Sequence, residues 1–290
     1  MRSSEGFSLI ELLIALTVTL GLMAMVFHLF HQSERTIRDQ TSIMEMQQTA
    51  RIVASQIADE IRMAGQGLPL YATAFDTVAS EAVAVILNSS TDSRIDFRAG
   101  LSNIETSTNT FGSNDFTLGV SRSLSVPSTA GFSAGKFVYL AGPSANSSWA
   151  WLRAEIIAVA PMMLTLIPRN TGTTDTTIHF TASPTISLEE AVSIYLSGGS
   201  IRRATASSTT NPAAPTWSAA NEIGRNFTAL RFTYYDARGN IVEPSSLTNR
   251  TAIARVKVQV TVETAAPLSN GSRPSYSLQF TTVPRNMQRE

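Results

Sequence analysis

The sequence predicts an α+β protein: one long N-terminal helix packed on an antiparallel β-sheet, with an enlarged β-rich head. Three observations carry this prediction. Nineteen residues from Leu12 to Phe30 contain no formal charge. Behind them, apolar residues recur at three- and four-residue spacings as far as Ala64. Past Gly67 the period changes to short alternating runs divided by turn residues, and each period has its own secondary structure.

The uncharged run comes first. A bilayer core takes roughly twenty mostly apolar residues in helical form, so Leu12–Phe30 is long enough to span. Beyond it Ile43, Met46, Ala50, Val53, Ile57, Ile61 and Ala64 mark one face of a helix, with Arg35, Arg38, Asp39, Glu45, Arg51, Asp59 and Glu60 as its polar remainder. No proline precedes Pro69, and Gly65 and Gly67 supply the stop. A helix over 7–64 is on the order of 85 Å long at 1.5 Å per residue. His28 and His31 read as markers of the membrane interface rather than metal ligands. Arg2 and Glu5 before the run offset one another, and Arg35 and Arg38 lie after it, so charge counting does not set its orientation.

Strands are predicted at 82–87, 94–97, 116–120, 137–140, 152–159 and 163–167, then at 191–196, 227–235, 253–262 and 276–283. Ser197-Gly198-Gly199-Ser200 reads as a tight hairpin, because glycine accepts positive φ. Asp236–Asn240 reads as a longer turn. The Ser-, Thr-, Ala- and Pro-rich stretch 204–218 reads as a loop, as does 102–114.

Composition excludes several chemistries. The 22 basic and 22 acidic residues cancel, leaving no global field toward nucleic acid. Cysteine is absent, which removes disulfides, thiol catalysis and cysteine-based zinc sites. The three histidines, His28, His31 and His179, do not suit a histidine-rich metal centre, and no cofactor is expected. His179 sits in an alternating pattern and reads as a solvent-facing strand residue. Glu189-Glu190 reads as a solvated pair ahead of a strand. In Trp149/Trp151 and Tyr234/Tyr235 one member of each pair is expected to face the core. No nucleophile elbow, zinc-protease motif, phosphate loop or calcium loop is present. No enzymatic activity is expected.

One carboxylate, Glu11, lies at the N-terminal edge of the apolar run. A charge there is costly in lipid unless solvated at the interface or used, and composition alone leaves both readings open. The surrounding residues Gly6-Phe7-Ser8-Leu9-Ile10-Glu11, followed by Leu12-Leu13-Ile14-Ala15-Leu16, resemble the class III signal of type IV prepilins and pseudopilins. The resemblance implies a pilin-like fold in three parts: a leader at 1–6, a transmembrane and assembly helix at 7–64 and a periplasmic head at 65–290. It implies cleavage by prepilin peptidase between Gly6 and Phe7, N-methylation of Phe7, and a docking role for Glu11 toward a neighbouring subunit's N-terminal amine. An apolar run longer than the usual h-region of roughly 7–15 residues, with no A-x-A-like site after it, fits a secretory signal less well.

The head carries a looser resemblance. Leu230–Asp236, Arg255–Val260 and Thr281–Asn286, together with the helix ending Ile57–Gly65, are similar to PilW-type minor pilins and GspJ-type pseudopilins. Major pilins often have a kinking proline at the twenty-second mature position, which here is His28, and this too resembles a minor pilin. The implied function is a minor subunit that primes or caps a type IV pilus. Implied partners are prepilin peptidase, other major and minor pilins, the inner-membrane assembly platform and, before assembly, inner-membrane lipid. A type II secretion pseudopilin of the same fold is the alternative. A periplasmic enzyme or binding protein on an uncleaved anchor is the rival of a different class.

Overall fold

The computed structural model describes residues 9–69, 80–109, 115–145 and 149–284. Its first element is a single helix, α1, Leu9–Arg62. It ends where expected: Gly65 takes a positive φ of 85°, and its N–H donates to the Arg98 carbonyl at 2.8 Å. That bond ties the helix end to the first strand.

Sixteen strands follow among the described residues. They are β1 (Arg94–Arg98), β2 (Glu105–Ser107), β3 (Asp115–Thr117), β4 (Arg122–Ser125), β5 (Phe137–Gly142), β6 (Ala150–Ala160), β7 (Met163–Thr171) and β8 (Thr177–His179). After these come β9 (Thr185–Leu188), β10 (Ala191–Ser197), β11 (Ser200–Ser208), β12 (Thr216–Trp217), β13 (Asn221–Arg225), β14 (Phe227–Asp236), β15 (Ile253–Glu263) and β16 (Ser275–Thr282). A short helix, α2 (Leu247–Ala252), lies between β14 and β15, and the Ser246 hydroxyl caps it by accepting from Asn249 N–H.

The strands form two bodies. In the first, β1-β10-β11-β12, with β13 also on β11, lies beside β14-β15-β16, and every pairing is antiparallel. The apolar stripe of α1 packs here: Met46, Ala50, Val53, Ile57, Ile61 and Ala64 join Ile95, Ile194, Ile201, Phe232, Val258 and Val260 in one core. The second body is inserted between β1 and β10. Its six-stranded sheet runs β2-β9-β5-β6-β7-β4, and the β3–β8 ribbon covers a separate core with Phe116, Ile178 and Phe180. The enlargement expected of the head is therefore one insertion, within residues 99–190.

Gly224 on β13 explains how closely the helix approaches. A Cβ there would lie 2.7 Å from a Val53 methyl and 2.6 Å from the Phe227 ring. The Gly198-Gly199 turn is as read, with both φ positive and Ser197 paired to Ser200.

Three readings are corrected. Residues 82–87 form turns and a single bridge, Ile86 to Phe97, instead of a strand. Their apolar run is buried because it lies along β1, with Leu87 N–H donating to Asp96 and Arg98 N–H to Val85. Neither stretch read as loop is all loop: β11 continues to Ser208 and pairs with β12 at Ala206 and Trp217, and β2 falls within 102–114 and pairs with β9. Small polar residues pair as well as bulky ones once a neighbouring strand supplies the ladder. Glu60, assigned to the polar side, is buried and pairs with Arg203 on β11 at 2.7 Å.

Candidate functional site: the unpacked apolar helix

Among the described residues, the N-terminal part of α1 is not buried by the head. Every residue from 9 to 38 is exposed, including Leu9, Leu13, Leu16, Leu20, Met23, Phe27 and Phe30. This is an apolar arm, long and apolar enough to cross a membrane, with none of its apolar stretch buried. Soluble folds rarely leave so large an apolar surface facing water. Those residues extend about 45 Å at 1.5 Å per residue, close to the thickness of a bilayer with its headgroups.

The polar groups inside the arm are managed locally. Thr17 Oγ1 donates to the Ile14 carbonyl at 2.9 Å, and Thr19 Oγ1 to the Ala15 carbonyl at 2.7 Å. Both hydroxyls are thus satisfied without water, as an apolar surrounding requires. Past Phe30 comes a polar collar, with Glu34 paired to Arg38 at 3.1 Å and His31 3.8 Å from Glu34. The head first meets the helix at Asp39, which accepts from Ser269 N–H at 3.0 Å and from the Ser269 hydroxyl. Arm and packed spine therefore divide at the point where the charges begin.

Glu11 lies in the first turn of the described helix, exposed, between the exposed Ile10 and Leu12. Gly6 and Phe7 lie outside the described residues. His28 and His31 are exposed on the helix.

One feature of the spine was missed by the sequence reading. Ile37, Met44 and Ile52 are each about 60% exposed, on the side of α1 away from the head. Ile37 and Met44 continue the seven-residue spacing of Met23 and Phe30. Seven residues fall about 20° short of two turns, so the four share a ridge running from the arm onto the spine. The heptad spacing is present in the sequence, on the side of the helix opposite the buried stripe.

His179 Nδ1 lies 2.7 Å from Asp115 Oδ1 across the β3–β8 ribbon, both about half-exposed. Tyr234 is buried and Tyr235 half-buried, as expected of neighbours on a strand; Trp151 is buried, and Trp149, two residues before it and outside β6, packs partly buried against the same cluster. Glu189 corrects the solvated reading. It is buried, and its carboxylate accepts from Arg98 Nε at 2.9 Å, Arg153 Nε at 2.7 Å and the Thr209 hydroxyl at 3.0 Å. Glu190 accepts from Ser102 N–H and its hydroxyl, both at 2.8 Å. Among the described residues no three His, Asp or Glu side chains converge to hold a metal.

No family model matches this chain, and no curated protein matches it.

Proposed function

We propose that this protein is a minor pilin subunit: its N-terminal helix anchors it in the inner membrane and then carries it into a type IV pilus, where it primes or caps the fibre. The observation that carries this reading is the exposed arm at 9–38 joined without a break to a spine with one face buried in the head. Lipid can cover the arm while the protein waits, and other apolar helices can cover it once assembled. The ridge Met23, Phe30, Ile37 and Met44 supports the second state, because it runs on past the bilayer-length segment to Met44, where other helices of a fibre can cover it.

In this reading prepilin peptidase removes residues 1–6, and the amine of Phe7 becomes the mature terminus and the site of N-methylation. Glu11 is the one acid among apolar neighbours. An unpaired carboxylate there is costly and a paired one directional, so it docks on a neighbour's terminal amine. The action is mechanical, without turnover. The head lies in the periplasm before assembly and on the filament after it.

The test is Glu11→Leu at matched expression. Membrane insertion and cleavage should survive, while the ratio of this protein in sheared filaments to that in membranes should drop sharply. An unchanged ratio would rule out docking by Glu11. If Gly6→Leu still yields protein beginning at Phe7, the cleavage assignment is wrong.

A further inference from the structure

Most strand edges of the described head are short, charged or covered by the chain itself. The edge of β1 is covered by 85–91, through Leu87 N–H to Asp96, Thr91 N–H to Arg94 and Arg98 N–H to Val85. The edge of β14 receives Asp92, whose carbonyl accepts from Phe232 N–H at 2.7 Å, and Val242, whose N–H donates to Tyr234 at 3.0 Å. β12 has two residues, β2, β3 and β8 have three each, and β4 has four. β13 carries Glu222 and Arg225.

β16 is different. It is eight residues long, Ser-Tyr-Ser-Leu-Gln-Phe-Thr-Thr, with no charge and no proline. Its register on β15 is unbroken from Thr282 opposite Val256 to Ser275 opposite Glu263, so no bulge twists its edge away. Among the described residues, no backbone group other than those of β15 pairs with it. Long, flat, uncharged edges are templates for another strand, and proteins that do not use them protect them. The side chains point the same way. Val258, Val260 and Val262 on β15 are fully buried, but their partners Phe280, Leu278 and Tyr276 are only partly so. The apolar face beneath α1 is thus less fully covered at β16 than at β15.

We propose that β16 is a docking edge for an extended segment of a different protein chain, which adds as a further strand of the β14-β15-β16 sheet. The incoming segment has alternate apolar residues beside Tyr276, Leu278 and Phe280 and polar residues beside Ser277, Gln279 and Thr281. Main-chain bonds supply affinity and the alternate side chains supply selectivity. A second copy is rejected as occupant on two grounds. Antiparallel β16–β16 pairing places a twofold axis normal to the sheet, and α1 lies along that sheet over β15 and β16. Such a pair points its two apolar arms in opposite directions, which one membrane cannot accept. This step rests on the reading of α1 as a membrane anchor. Head-to-tail pairing of copies through the opposite edge of this sheet fails because β14 is covered there by its own chain.

The probe is a fluorescent octapeptide of alternating Thr and Val, N-methylated at every second residue so that only one edge can pair. It is titrated onto the full chain in detergent micelles, with a peptide methylated at every residue as control. Saturable binding is expected, with slowed hydrogen exchange in 275–282, and neither should appear with the control. Ser277→Lys with Gln279→Lys should weaken binding at least tenfold. No binding, or slowing confined to other segments, overturns the proposal. Should the double variant misfold, hydrogen exchange of the wild type with probe and control decides alone. Self-association that slows exchange in 275–282 before any probe is added overturns the heteromeric occupant and the shared direction of the arms. A failed filament assay for Glu11→Leu leaves the probe result unaffected, so the two readings fail separately.

Discussion

The Glu189 carboxylate lies 2.7 Å from Nε of Arg153, with both side chains inaccessible to solvent. Arg153 belongs to β6 of the insertion, and Glu189 lies just before β10 of the sheet that carries the helix. The same carboxylate holds Arg98 from β1, and the Tyr139 hydroxyl donates to it at 3.1 Å. Burial first, and Glu189 second, hold that hydroxyl well above its ordinary range, so it stays a donor. The two guanidinium groups bond further to the carbonyls of Ala84, Pro212 and Thr209. One acid thus joins the insertion to the main body.

Removing that acid should therefore cost more than removing an average core residue. Glu189→Leu leaves two buried guanidinium groups uncompensated and should destabilise the head by about 3–5 kcal/mol. Glu189→Gln keeps hydrogen-bond acceptance and should cost less. Urea midpoints of a chain beginning at Arg35, which lacks the arm, give the comparison. Equal midpoints for wild type and Glu189→Leu would mean that the cluster does not join the two bodies.

Ile57 is fully buried between α1 and the main sheet. Ile57→Asp places an unpaired carboxylate there and should lower stability by several kcal/mol. The same truncated chain should melt far lower or fail to fold. Unchanged melting would put that helix face in solvent.

Gly224 tests the approach of helix to sheet. A methyl at this position meets Val53 and Phe227 at distances real Cβ atoms do not adopt. Gly224→Ala should cost about 1–3 kcal/mol. Pairing it with Val53→Ala should recover part of the loss, and strict additivity in that double-mutant cycle would deny the contact.

Glu60 gives a pH signature. Burial pushes its carboxyl above the ordinary 4.5, against the pull of Arg203. In the folded state it keeps its proton at a pH where the unfolded chain has already released one. Its contribution is therefore most favourable below about pH 4.5 and is lost as pH rises through the raised folded value. The stability of wild type minus that of Glu60→Gln should fall between pH 4.5 and 7. A rise over that interval would reverse the sign and make Arg203 the dominant influence.

The sequence by itself determined the helix, its division into an apolar arm and an amphipathic spine, its end at glycine, and most of the longer strands. These are local matters: charge-free length, a 3.6-residue period and alternation are readable because each is enforced within a few residues of chain. Glu11 was legible for the same reason, as a lone acid beside an uncharged run. Tertiary structure decided what depends on contacts far apart in sequence. Glu60 is buried because Arg203 lies 143 residues away along the chain. Glu189 is buried because two arginines, 91 and 36 residues off, converge on it. Residues 82–87 read as a strand because they are apolar, yet they pack as an irregular cover along β1. The open edge of β16 follows the same rule: its alternation marks a strand, but which strands lack a neighbour is settled only when the whole sheet order has formed.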